Sequence, residues 1–172
     1  MESRKQDYVL YFGRYSQEKG IATLAAAAKA LPRIPFVFAG SGPEEGLLAL
    51  IPNVRNVGFR SGESLHKLIR EARFTVYPSE WYENCPFSVM ESQLYGTPVL
   101  GADIGGIPEL IRAGETGELF ESGNGEALRE SIAELWSDED RCRRYAANCA
   151  NVRFANIAEY TQELMGYYTG TK

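Results

Sequence analysis

Two loops carry the residues that could do chemistry. Gly13-Arg-Tyr-Ser-Gln-Glu-Lys-Gly20 follows the first apolar run and holds Arg14 and Lys19. If Ser16 caps the helix that follows, Lys19 stands in its first turn, where the macrodipole disfavours a cation. Gly20 beside it lowers helix propensity as well. Two local rules broken together at a strand's carboxyl end suggest a functional site. An anion resting on the helix N-terminus, clamped by Arg14 and Lys19, accounts for both. A surface Arg and Lys pairing with Glu18 or water fit the spacing equally well. The second loop, Tyr77-Pro-Ser-Glu-Trp-Tyr-Glu-Asn-Cys-Pro-Phe-Ser-Val-Met-Glu91, sets Glu83 in a loop and Glu91 in the opening turns of a helix. An ionised carboxylate has two acceptor oxygens and can take hydrogen bonds from two adjacent hydroxyls, as ribose or a hexose presents. Taken alone, Glu91 is an ordinary helix glutamate that satisfies the dipole.

Short apolar runs position these loops. They are Tyr8–Gly13, Pro35–Gly40, Val54–Phe59, Phe74–Pro78, Pro98–Ala102 and Gly117–Phe120. Most are continuously hydrophobic, as strands are when a parallel sheet is covered on both faces. Helical periodicity fills the gaps: Ile21, Leu24, Ala25, Ala28; Leu65, Leu68, Ile69, Ala72; Leu128, Ile132, Leu135, Trp136; Ile157, Tyr160, Leu164, Tyr168. In the C-terminal third the helices run almost back to back, with Ser137 as the expected N-cap between two of them. The alternation predicts an α/β fold: a doubly wound, Rossmann-like parallel sheet of about six strands with helices on both faces. Ligands of such sheets bind beyond the carboxyl ends of the strands, where both loops lie.

The chain has 172 residues, which suits one domain spanning 1–172. Its 44% hydrophobic and 24% charged residues exclude a disordered tail, a fibre and a membrane span. The longest helical apolar stretch, Ile21 to Leu31, contains Lys29 and falls far short of the ~20 residues a bilayer requires. A net charge of −5 argues against a nucleic-acid face, so a bound anion must meet a few local cations. His66 is the single histidine, too few for a His-based triad or a multi-His metal site. Cys85, Cys142 and Cys149 form no C-x-x-C pair and leave an odd thiol. With the polar start Met1–Asp7, this predicts a reducing, cytoplasmic setting. A dinucleotide site is disfavoured: there is no G-x-G-x-x-G, and Gly40 stands where the ribose-binding carboxylate belongs. Gly40-Ser-Gly-Pro43 reads instead as a tight turn with Pro43 at the first helical position.

Gly13-Arg14 with Lys19-Gly20, Gly40-Ser-Gly-Pro43, Glu83 and Glu91, Tyr95-Gly-Thr-Pro98, Gly105-Gly-Ile-Pro-Glu109 and Gly114-Glu-Thr-Gly117 occur in that order. Together they resemble the C-terminal domain of the retaining, nucleotide-sugar-dependent glycosyltransferases of family 4, which have the two-domain GT-B fold. The resemblance runs from about Tyr8 to Tyr168 and rests on six motifs in register.

It implies that Arg14 and Lys19 hold the donor pyrophosphate, that Glu91 accepts from the ribose, and that Glu83 accepts from the transferred sugar. It places the backbone amides of Phe87, Ser88 and Val89 against the phosphate or sugar, and Arg60 against the base. Glu83, Arg14 and Lys19 would be the catalytic set. No metal or other cofactor is implied, and the partners are the sugar nucleotide and an N-terminal acceptor domain outside this chain. The last helix, Ile157 to Tyr168, would belong partly at that domain's surface. The domain alone is then expected to bind nucleotide and transfer little or no sugar. Where the family has Gly-Phe-Gly after the first glutamate, this chain has Asn84-Cys85-Pro86, a variant of that loop. A non-catalytic nucleotide-binding module and half of a GT-B-fold epimerase are the rival readings. The four polar ligands oppose the first, and the site groups needed for the second are not found. Asp138-Glu139-Asp140 resembles a metal–diphosphate motif but opens a helix, where acidic residues serve as caps. Glu109 is read as ordering a helix start, His66 as exposed, and Cys85 as no nucleophile, since neither base nor second thiol accompanies it.

Overall fold

The structure, a computed structural model, describes residues 5–170. Six strands, β1 (Val9–Arg14), β2 (Phe36–Ser41), β3 (Val54–Asn56), β4 (Phe74–Tyr77), β5 (Val99–Asp103) and β6 (Gly117–Glu121), form one sheet. They pair in parallel in the order β3-β2-β1-β4-β5-β6. The chain winds outward one way from β1 to β3, then returns to β4 on the other side of β1. That reversal is the topological switch point of a doubly wound sheet. β1 and β4 pair only at Val9↔Phe74 and Leu10↔Thr75, whereas β1 follows β2 from Val9 to Arg14. The carboxyl ends of β1 and β4 therefore leave a crevice between them.

The helices are α1 (Ile21–Ala30), α2 (Gly62–Glu71), α3 (Phe87–Leu94), α4 (Ile107–Leu110), α5 (Gly125–Ser137), α6 (Glu139–Cys149) and α7 (Ile157–Thr169). Alternate residues of β1 and β2 enter opposite cores, because the side-chain period of a strand is two. Val9, Tyr11, Phe36 and Phe38 join the larger core with Leu24, Leu128 and Ile132, while Leu10, Phe12, Val37 and Ala39 join the smaller one with Ile69 and Ala72. Burial on both faces is why these runs are continuously apolar. α7 buries none of its described side chains and exposes Ile157, Tyr160 and Tyr168. Among the described residues no helix is long and apolar enough to cross a membrane.

Three local expectations are corrected. Ser137 ends α5, its hydroxyl donating to the Glu134 carbonyl, and Asp138 caps α6 by accepting from the Arg141 amide at 2.9 Å. A carboxylate beats a hydroxyl there because it also pairs with the Arg141 guanidinium at 3.0 Å. Pro43 lies in the turn before a short 3-10 segment, Glu45–Leu48, and not at a first helical position. His66 is half-buried, stacked on Tyr95 with ring centroids 4.5 Å apart.

Candidate functional site

Lys19 does not stand in the first turn of α1. Ser16 opens a separate 3-10 turn, Gln17–Lys19, and Gly20 then reverses the backbone in the left-handed region at φ 69° before α1 begins. The Ser16 hydroxyl bonds Glu18 at 2.7 Å and caps no amide. Gly20 has its own reason: a Cβ there would lie 2.0 Å from the Pro78 carbonyl oxygen. That close approach presses the turn after β1 onto the loop after β4, and the Glu80 amide donates to the Glu18 carbonyl at 2.9 Å.

Across this seam Lys19 Nζ meets Glu83 Oε1 at 2.5 Å, with the side chains 26% and 16% exposed. Lys19 thus pairs with Glu83, not Glu18. Lys19 also donates to the Tyr77 hydroxyl at 3.3 Å, and the Ser79 hydroxyl lies 2.9 Å from Glu83 Oε1. Burial acts to lower the Lys19 pKa, but the Glu83 hydrogen bond and Tyr77 outweigh it, and the ammonium is held above its ordinary value. Burial pushes the Tyr77 phenol up, with Lys19 opposing and Glu83 adding to the shift. The Ser16 hydroxyl, with smaller help from Arg14 and Lys19, holds the Glu18 carboxyl below its ordinary value.

The loop that carries Glu83 is braced from behind. Gly105 sits at φ 58°, and a Cβ on it would come within 2.6 Å of the Glu83 carbonyl oxygen. One on Gly106 would lie 2.0 Å from that of Asn84. The Gly106 amide donates to the Glu83 carbonyl at 2.7 Å. The two glycines of Gly-Gly-Ile-Pro-Glu therefore let one loop lie flat against the other. Glu109 is exposed in the first turn of α4.

Beside the crevice, beyond the carboxyl ends of β1 and β2, lies a pocket of about 440 Å³ lined by Gly13, Arg14, Gly40, Pro43, Phe59 and Arg60. It brings Arg14 and Arg60 to one cavity. Among the described residues Arg14 has no ion pair, and the Arg60 guanidinium donates only to the Phe59 carbonyl at 3.1 Å. α3 starts after Pro86 with no side-chain cap, so its first amides point out unpartnered by the helix. Val89 is the exception, because its buried amide already donates to the Pro86 carbonyl at 3.1 Å; Phe87 and Ser88 keep theirs. Glu91 is half-buried, and among the described residues no hydrogen bond or ion pair reaches its carboxylate. Among the described residues no hydrogen bond or ion pair joins Arg14, Arg60 or Glu91 to the Lys19–Glu83 pair. Ser79 and Tyr77 were not singled out by sequence reasoning. Their one signal was position, at the end of a strand and in the loop that follows.

The profile of the Glycosyl transferases group 1 family matches residues 2–152. The chain belongs to that family. It is similar to the alpha-D-kanosaminyltransferase of Streptomyces kanamyceticus, with 29% identity over 93% of this chain and 45% of that protein. Among solved structures, the sucrose-phosphate synthase of Thermosynechococcus elongatus superposes with a TM-score of 0.80 at 27% identity, covering 95% of this chain and 45% of that one. HepE of Anabaena, solved in complex with UDP, gives 0.81 at 23% identity over 96% of this chain and 49% of that one. The fold of this group 1 chain is the Rossmann-like domain of GT-B enzymes. The chain spans about half the length of the curated relatives it matches.

Proposed function

We propose that this chain is the donor-binding domain, one unit over residues 1–172, of a retaining glycosyltransferase that moves a hexose from a nucleoside diphosphate sugar. The observation that carries the reading is the Lys19–Glu83 contact across the switch point. A cation for the diphosphate and a carboxylate for the sugar stand side by side, as the two adjacent parts of one donor require. The UDP complex of HepE lends the same chemistry to the reading.

In this reading the base and ribose lie toward the pocket of Arg14 and Arg60, with Glu91 accepting from the ribose hydroxyls. Arg14, Lys19 and the Phe87 and Ser88 amides meet the diphosphate. As the glycosidic bond to the leaving diphosphate lengthens, negative charge grows on the phosphate oxygens. Fixed cations and helix N-H groups stabilise that charge more than they stabilise the intact donor, which lowers the barrier. No step requires a proton from this chain, and the residues need neither a metal nor another cofactor. The acceptor is bound by a second domain outside these residues, in a cytoplasmic enzyme, so the chain alone binds donor and transfers little sugar.

Calorimetric titration with UDP, GDP and ADP and their sugars tests the assignment. Losing one partner of a charged hydrogen bond costs ~1.5–3 kcal/mol, so Arg14→Ala and Glu91→Ala should each weaken nucleotide binding roughly tenfold or more. Unchanged affinity in both variants would place the site elsewhere.

A further inference from the structure

We infer that Ser79 is a positioning residue for the donor sugar. It holds one carboxylate oxygen of Glu83 to the protein so that the other is presented to a sugar hydroxyl. This rests on the donor-binding reading above. Ser79 is 1% exposed, and its hydroxyl lies within reach of three acceptors: Glu83 Oε1 at 2.9 Å, the Glu18 carbonyl at 3.2 Å and the Trp81 carbonyl at 3.4 Å. A hydroxyl has one proton to give, and the charged oxygen at the shortest distance takes it most strongly. Ser79 is itself fixed, because the Ser122 hydroxyl donates to its carbonyl at 3.0 Å.

The Lys19 and Ser79 bonds end on the same oxygen. Lys19 Nζ and Ser79 Oγ meet Oε1, and the Tyr77 hydroxyl also bonds the Glu83 carboxylate. Lys19 and Ser79 are not equivalent. A diphosphate carries more charge than a carboxylate and draws the Lys19 ammonium toward itself. Ser79 is neutral and nine-tenths or more enclosed, so an arriving anion does not compete for it. When Lys19 turns to the donor, Ser79 and the Gly106 amide on the Glu83 carbonyl keep the glutamate where the sugar needs it.

The test is a double-mutant cycle on the whole chain, with Ser79→Ala, Glu83→Ala and both together. Calorimetry would use UDP with UDP-glucose, GDP with GDP-mannose, and ADP with ADP-glucose. Ser79→Ala should weaken the sugar nucleotide roughly fivefold to tenfold and leave the free nucleoside diphosphate within about twofold. In the Glu83→Ala background it should cost nothing more. Equal loss for both ligands, or the same loss in both backgrounds, overturns the role of Ser79. Binding by the wild-type chain with an indifferent Ser79→Ala removes Ser79 alone. A wild-type chain that binds none of the six ligands overturns the donor-binding reading and this inference with it. If Ser79→Ala melts before binding can be read, Ser79→Cys keeps the shape, weakens the donor and carries the same expectations.

Discussion

Lys19 shows how a single side chain answers opposing demands. Burial disfavours its charge, yet Glu83 and Tyr77 more than restore it, so the ammonium persists above the usual lysine range. A raised folded-state pKa stabilises the fold below the ordinary lysine value, and that contribution is lost only as pH rises through the raised one. The Lys19 charge is therefore indifferent to pH near neutrality. The thiols behave otherwise. Burial pushes Cys142 and Cys149 up to about 11, whereas Cys85 is exposed in the site loop. Each buried thiol favours the fold fully below its unfolded pKa of ~8.5 and ceases to do so as pH climbs through about 11. A disulfide reagent at pH 8 should label Cys85 at once and the other two only as fast as the fold opens. Three fast thiols would contradict the burial.

At the scale of elements, the site is a meeting of loops that glycines permit. Gly106 has φ −85°, which any residue adopts, so it is the close backbone of Glu83 and Asn84, above all the Asn84 carbonyl, that forbids a side chain there. Gly106→Ala should push the Glu83–Asn84 loop outward, leave far-ultraviolet dichroism unchanged and weaken sugar-nucleotide binding roughly tenfold, the cost of one charged contact. Unaltered affinity in a folded variant would show that the brace is dispensable. The strands were legible in the sequence because two-sided burial makes them continuous apolar runs. β3 is shorter than its run because the Asn56 side chain accepts from Tyr15 at 3.0 Å and from the Gly58 amide at 3.0 Å, turning the chain away. The misplaced helix start at Ser16 has a physical reason too: a tertiary contact, Gly20 on Pro78, decides where α1 begins, and no local pattern reports it. Lys19 and Glu83 were named through motifs, yet their contact spans 64 positions and is visible only in the fold. Ser79 looks like any loop serine until the carboxylate beside it is seen.

For the whole molecule, every proposed ligand-binding group gathers at the carboxyl edge of the sheet. The amino edge offers a control: a separate hollow of about 330 Å³ lined by Tyr8, Phe36, Asn53 and Arg55. That edge has no share in the proposed chemistry. The net charge of −5 makes an adventitious anion unwelcome over most of the surface, so binding of a diphosphate must be local. Amide resonances of the isotopically labelled chain, followed during titration with a nucleoside diphosphate sugar, locate the ligand directly. Shifts should concentrate in Gly13–Gly20, Gly58–Arg60 and Ser79–Glu91. A spectrum that does not change, or shifts confined to the amino edge around Tyr8, Phe36 and Arg55, would contradict this placement.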